Sequence, residues 1–363
     1  MERKKGKIYW FVPVLVIGII FVYYFWGWDI GAGLHKENTA YDIVELTNMV
    51  NDQIDSGKKS GVFYISGITE DELVNMNDYI CSMNGVVEQY SILERGRNGM
   101  RVLLKYSISD NYYVCEKYLN GQDIPDDRPE AIKLYDKVEQ ILSDIITPDM
   151  RDYEKELAIH DYLVANCQYG YVDYSRDFAY QAYGALVQKQ AVCNGYAEAM
   201  ALLLTCVNIE NEIMTGWADG ELHSWNRVLL DGQWYQVDAT WDDPVPDRGS
   251  FVGHMYFNVT DDIMDDSHVW DEEKFEPCES MDYNYFQLND LICNYTEFQS
   301  AVKNAAAHDI TATVEVVLTD YNESVYSYDF MQDIPGLMYF LRSKDVESYG
   351  PYHFITLYLN QKD

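Results

Sequence analysis

The 363-residue chain carries 60 acidic against 26 basic side chains, a formal charge of −34, and 48% of it is hydrophobic. Eight Trp and 32 Tyr are ample for packed cores, so composition excludes a disordered chain, and the length allows two or three domains. A surface this acidic repels nucleic acid and anionic lipid. It serves solubility, and it also suits basic or amine-bearing substrates.

The chain opens MERKKGK and continues with an uncharged run from Ile8 to Trp28. Those 21 residues suffice to cross a bilayer. Arg3, Lys4, Lys5 and Lys7 precede the run and Asp29 follows it, so the positive-inside rule leaves residues 1–7 as a cytoplasmic tail. Residues 8–28 are then a single-pass anchor in the lipid bilayer, and the remainder lies outside the cytoplasm. Trp10, Tyr23, Tyr24, Trp26 and Trp28 sit near the two ends, as interfacial aromatics would. The rival is a cleaved signal peptide, for which the run is long and Gly31-Ala32-Gly33 is a poor cleavage site. With four basic and one acidic residue in the first 28, the rest of the chain carries −37.

Residues 41–118 read as a small α/β domain. Its expected elements are a helix from Tyr41 to Ile54, a strand in GVFYISG, and a helix from Thr69 to Cys81 opened by an S/T-x-x-E box. VVEQYSIL and MRVLLKYSI then form a hairpin around Arg95–Gly99. A polar linker from Asn120 to Arg128 leads into the central domain, residues 129–278. This begins with helices from Pro129 to Ile145 and from Asp149 to Cys167. His160 lies on the apolar face of the second and reads as a packing residue. After Pro244 the chain is acidic and rich in loops. Asp261, Asp262, Asp265 and Asp266 lack the spacing of a calcium loop and read as a solvated turn. His268 and Trp270 read as packing or rim residues. Residues 283–363 read as a second small α/β domain, with helices from Thr296 to Ala307 and from Met331 to Arg342 and strands in ITATVEVVL and YHFITLYLN. The order resembles that of residues 41–118, as a duplication would.

The seven cysteines, at 81, 115, 167, 193, 206, 278 and 293, are scattered. They show neither a disulfide framework nor zinc-ligand spacing, and they read as mostly reduced and buried. Cys193 differs from the others. It opens the apolar run CNGYAEAMALLLTC, which reads as a helix buried nearly all round, with Glu198 its only charge. The first turn of a helix gathers unpaired N–H groups and the positive end of the dipole, which favours negative charge on the sulfur. Gly195 admits the close approach of other backbone or of a substrate.

Further on, HSWNRVLL and QWYQVDATW are strand-like runs joined by Asp231-Gly232, a two-residue hairpin signal. With that loop Leu230 faces Gln233, and His223 and Asp238 become diagonal neighbours on one face. Trp217, Trp225, Trp234 and Trp241 surround them in sequence and read mostly as core.

AVCNGYAEAMALLL, then HSWN, then WYQVDATWDDP, resemble the core of the bacterial transglutaminase-like superfamily, related in fold to papain-like cysteine proteases. The resemblance extends to DYEKELAIHDYLVANCQY, AYGALV and YFNVTDDIMDDSHVW, roughly a third of the chain. It implies an α+β fold in which a helix bearing Cys193 packs on an antiparallel sheet bearing His223 and Asp238. It implies Cys193 as nucleophile, His223 as base and Asp238 as orienter. An upstream side chain often completes the oxyanion hole, and Gln181, Tyr183, Gln188 and Gln190 are all candidates.

The expected protein is a membrane-anchored, extracytoplasmic cysteine acyl-transfer enzyme. It would cleave or cross-link amides of a protein or peptide substrate, cell-surface and cell-wall peptides included. No cofactor or metal is implied. The alternative is an inactive domain used for adhesion or assembly.

Overall fold

A computed structural model describes residues 38–74, 82–170, 176–243, 245, 251–308, 313–324, 339–349 and 351–361. The tail over 1–7 and the anchor over 8–28 lie outside them. No helix among the described residues is long and apolar enough to cross a membrane.

The first unit is a four-stranded sheet of order β1-β2-β4-β3. It runs β1 (Thr39–Ala40), α1 (Ile43–Asp55), β2 (Ser60–Ile65), α2 (Glu70–Val74), β3 (Gly85–Arg95) and β4 (Met100–Ile108). The Asp42 side chain caps α1 by accepting from the Glu45 N–H, and Ile43, Leu46, Val50 and Ile54 recur at helical spacing on its buried face. They pack with Phe63, Ile65, Val102 and Leu104 of the sheet. The Thr69–Cys81 helix is seen as α2, with residues 75–81 outside the described part.

The central core begins with α3 (Asp110–Asn120), a helix the sequence did not announce. It is followed by α4 (Pro129–Ile145), α5 (Asp152–Asn166), β5 (Gln168–Tyr169), α6 (Arg176–Ala179), a π-helical turn (Gly184–Gln188) and β6 (Gln190–Ala191). Val114 of α3 is buried in the same cluster as Leu134, Val138 and Ile141 of α4 and Leu163 of α5. α7 (Cys193–Cys206) runs through this cluster, buried at every position but Thr205. It lies on a five-stranded antiparallel sheet of order β10-β9-β8-β7-β11. The strands are β7 (Asn211–Ala218), β8 (Glu221–Leu230), β9 (Gln233–Val237), β10 (Phe257–Val259) and β11 (His268–Val269), with α8 (Asp261–Met264) before the last.

The last unit has α9 (Tyr285–Leu288), β12 (Ile292–Cys293), α10 (Phe298–His308), β13 (Thr313–Leu318), β14 (Tyr339–Tyr349) and β15 (Tyr352–Gln361). Its sheet order is β12-β13-β15-β14. Like the first sheet, it has a parallel first pair spanned by a helix, followed by antiparallel pairs. The expected Met331–Arg342 helix is corrected in part. Residues from Tyr339 onward are strand, and 331–338 lie outside the described part. An apolar run such as LMYFL fits either element, and here pairing with β15 decides. All six described cysteines are unbonded, and five of them are buried.

Candidate active site

Val192 enters α7 in an extended conformation, so Cys193 is the first helical residue. Its N–H therefore has no partner within the helix and lies at the positive end of the dipole. The thiol is held in place, 9% exposed, with Sγ 3.7 Å from Asn194 Oδ1. Gly195 is needed by other backbone, because a Cβ there would lie 2.5 Å from the Ala179 carbonyl oxygen.

Asp231 and Gly232 both take positive φ, as a tight primed hairpin turn requires. The register runs from Leu230 opposite Gln233 to Asn226 opposite Val237. His223 and Asp238 thus fall on one face, and His223 Nε2 meets Asp238 Oδ2 at 2.6 Å. This leaves Nδ1 as the ring nitrogen available to the neighbouring Cys193 sulfur, which favours the charged form of the imidazole. Burial alone would lower the His223 pKa. The Asp238 charge, its hydrogen bond and the neighbouring sulfur outweigh burial and raise it to about 10. Burial alone would likewise raise Asp238, but the two imidazoles on it hold its carboxyl well below the usual range. Cys193, His223 and Asp238 are therefore brought together, the first at the helix start and the second on the strand that the sequence indicated, the third one residue past the end of β9.

Residues 139–239 match the family model of the transglutaminase-like superfamily. The chain carries a transglutaminase-like domain. A solved TGase is 12% identical over 56% of this chain and 59% of that one, with a TM-score of 0.26, so this chain spans under two thirds of its length. A protein from Cytophaga hutchinsonii described as a candidate cysteine protease is 15% identical over 47% of this chain and 71% of that one, TM-score 0.27. Calcium-bound LapG of Legionella pneumophila is 11% identical over 34% and 72%, TM-score 0.23. No curated protein sequence matches the chain.

Asp238 holds more of the transglutaminase-like domain than His223. Its Oδ1 accepts from the backbone N–H of Thr240 at 2.9 Å and of Trp241 at 3.2 Å. His268 Nε2 lies 3.1 Å from Oδ2, and His268 Nδ1 lies 2.8 Å from Ser267 Oγ. His268 packs, with its ring against Trp225, Trp241 and Tyr256, and is a polar partner of Asp238 as well. The signal that could have found it is Gly216, where a Cβ would lie 2.2 Å from the Val269 carbonyl oxygen. A glycine inside a strand marks such an approach, here of β11 to β7. Trp270 does pack, edge-on to Trp225. Trp225 stacks near His223, and Trp241 lies 4.7 Å from His268. Of the four tryptophans, Trp225 and Trp234 are in the core, and Trp217 is 36% exposed.

His160 is fully buried, and its role is also more than packing. Its Nε2 lies 3.1 Å from Asp242 Oδ2 and its Nδ1 3.1 Å from Asp161 Oδ1. His254 bridges Asp161 and Glu315 of β13, each at 3.1 Å, so the network ties the domain to the last sheet. His160, Asp161 and His254 lie close enough to share a metal ion, as do His223, Asp238 and His268. In the first group hydrogen bonds within the protein already engage every imidazole nitrogen.

The cleft at Cys193 has a volume of about 280 Å³ and reaches His223. Of the upstream loop, Tyr180 lines it, whereas Gln181, Tyr183, Gln188 and Gln190 do not. Tyr183 packs on Phe178 in the core, and Gln190 begins the short strand beside Gln168. Thr47 of α1 and Thr215 of β7 also line the cleft, and both hydroxyls are buried without a hydrogen-bond partner. The first unit thus supplies part of its wall.

Proposed function

We propose that the protein is a membrane-anchored, extracytoplasmic cysteine acyl-transfer enzyme acting on amides of a protein or peptide. The observation that carries this is the alignment of a helix-opening thiol, a proton-binding imidazole and a carboxylate saturated with hydrogen bonds. The His223 imidazole takes the Cys193 thiol proton and so readies the sulfur as nucleophile. The sulfur attacks the amide carbonyl carbon. As the C–N bond breaks, His223 gives its proton to the leaving amine, and a thioester remains on Cys193. Water or an amine then attacks the thioester, His223 takes up its proton, the C–S bond breaks and the thiolate returns. Water gives hydrolysis, an amine a new amide. Asp238 keeps the ring oriented with Nδ1 toward sulfur. The Cys193 backbone N–H and the Tyr180 hydroxyl supply the oxyanion donors.

The anchor over residues 8–28 belongs to this proposal through its length and the basic residues before it. Cell-surface and cell-wall peptides are the substrates within its reach.

The test is alkylation of the full-length protein by iodoacetamide at pH 7, in wild type, Cys193→Ala and His223→Ala. The expected result is one thiol reacting roughly tenfold or more faster than the others, absent in the first variant and slowed in the second. Peptide hydrolysis and amine incorporation are then compared on the same proteins. A membrane-impermeant thiol reagent applied to intact cells is expected to reach Cys193. A Cys193 that reacts like the other thiols would leave a non-catalytic adhesion or assembly domain as the better account.

A further inference from the structure

The Cys193 cleft meets a second, larger cavity at His223. This groove, about 660 Å³, lies between the hairpin of β7 and β8, the loop after Asp238, and the last sheet. Four residues, Tyr169, Glu221, Leu222 and His223, line both spaces, so the imidazole stands at their junction.

The charge of the groove has one sign. Asp242, Asp243 and Glu315 line its inner part, where they are engaged by His160, Tyr196 and His254. Asp219, Glu221, Asp345 and Glu347 line its outer part and are exposed. No lysine or arginine is among the described residues that line it. The sheet register explains the arrangement. Asp345 and Glu315 both stand opposite Thr356, and Glu347 stands opposite Phe354, so these carboxylates share one face of the sheet. Trp241, Phe251, Phe354 and Tyr358 add aromatic wall between them.

We propose that this groove takes a cationic segment, with lysine- or arginine-type groups, on the amine side of the amide bond that is broken or made. This rests on the acyl-transfer reading of Cys193 and His223. The acyl group is bonded to sulfur and belongs in the Cys193 cleft. The amine, leaving or arriving, exchanges its proton with His223 and belongs on the far side of the imidazole, where the groove begins. Carboxylates around a cavity with low-dielectric walls concentrate cations there, and aromatic faces add contact with guanidinium and ammonium groups. The shared chemistry covers two sources, basic residues following a cleaved bond and a free lysine-type amine that accepts the acyl group.

The test has a binding arm and a reaction arm. In the first, full-length Cys193→Ala is titrated with fluorescein-labelled octalysine and octaglutamate, followed by anisotropy at low and raised salt. Octalysine is expected to bind roughly tenfold or more tighter, with salt weakening it. Neutralising the outer carboxylates (Asp219→Asn, Glu221→Gln, Asp345→Asn, Glu347→Gln) is expected to remove roughly tenfold of that affinity, although most of the chain's negative charge remains. The pair Asp345→Asn and Glu347→Gln, confined to the last sheet, is expected to remove part of it.

In the second arm, wild-type protein is offered a mixed peptide library with and without added lysine methyl ester, and the products are read by mass spectrometry. Cleaved products enriched in Lys or Arg just after the broken bond identify the peptide source. Products carrying the ester identify the free amine. Octalysine affinity unchanged by the four neutralisations overturns the groove proposal, and so do products without basic enrichment or ester. Charge-dependent binding with no product from any peptide leaves the groove standing and overturns the acyl-transfer reading instead.

Discussion

His268 Nε2 lies 3.1 Å from the same Asp238 oxygen that His223 Nε2 meets at 2.6 Å. One carboxylate therefore serves two imidazoles, and its other oxygen is held by two backbone N–H groups. A carboxylate fixed at both oxygens cannot rotate away from His223, which is how His268 acts on the ring without touching the thiol. His268→Ala is expected to lower kcat and the alkylation rate of Cys193 by roughly ten- to a hundredfold, because small displacements of reacting groups are costly. KM should change little. His268→Gln, which keeps a donor for Asp238, should recover part of the loss. Equal losses in both variants would point to a structural role only.

The triad-like set was legible in sequence because each member rests on local signals: a helix start, a two-residue turn and period-two alternation. The Asp231-Gly232 loop sets the register that carries His223 to Asp238 across 15 residues. His268 was not legible in this way. It stands on a strand of two residues after an acidic loop, and only its contact with β7 gives it a place. Tyr180 sits between two short helical pieces, where periodicity has nothing to report. Thr47, on α1, and Glu315, on β13, reach the site from the flanking units, through contacts that no spacing along the chain encodes. The Tyr339 strand was misread for a related reason, since an apolar run takes the form its partners impose.

Tyr180 is the side chain of the upstream loop that lines the Cys193 cleft. Tyr180→Phe keeps the ring and removes the hydroxyl. It is expected to lower kcat by roughly ten- to a hundredfold while Cys193 alkylation by iodoacetamide, which forms no oxyanion, stays at the wild-type rate. Substitution of Gln181 or Gln188 by Ala, with kcat measured alongside, is expected to have a smaller effect.

Gly195→Ala tests the seating of α7. In an open helix alanine is favoured over glycine by roughly 0.5–1 kcal/mol. Here the new Cβ would stand 2.5 Å from the Ala179 carbonyl oxygen and 2.7 Å from the Ala191 Cβ. Backbone must move, so the sign reverses and a loss of about 1–3 kcal/mol is expected. Thermal unfolding should show it, together with slower alkylation of Cys193.

Glu198, the one charge on α7, is fully enclosed and accepts hydrogen bonds from Asn111 Nδ2 and the Ala182 N–H. Burial raises its pKa to about 8, more than those hydrogen bonds lower it. Its folded pKa thus exceeds its unfolded one. The stability it gives when protonated is full below about pH 4.5 and is lost as pH rises through about 8. Glu198→Gln keeps an acceptor and cannot ionise. The variant is expected to lose less thermal stability than wild type between pH 5.5 and pH 8.5, by an amount on the order of a few kcal/mol.

Glu315 and His254 make the corresponding test of the tie between the domain and the last sheet. His254 is enclosed, which alone would lower its pKa, but Asp161 and Glu315 outweigh burial and raise it to about 10. A raised histidine stabilises fully below its unfolded value near 6.5, and the stabilisation disappears as pH rises through about 10. The window therefore lies above that of Glu198. Burial pushes the Glu315 carboxyl above its ordinary range and the His254 ring draws it back. Glu315→Gln keeps an acceptor but takes away the carboxyl that pairs with the ring, which is expected to cost about 1–3 kcal/mol near neutral pH. With its partner gone, His254 should release its proton at lower pH, so the alkaline loss of stability begins earlier. Thermal unfolding of wild type and Glu315→Gln from pH 6 to pH 10 checks both effects. Curves of the same shape, merely offset, would mean that the ring is neutral in the folded protein and that Glu315 contributes only as a hydrogen-bond acceptor.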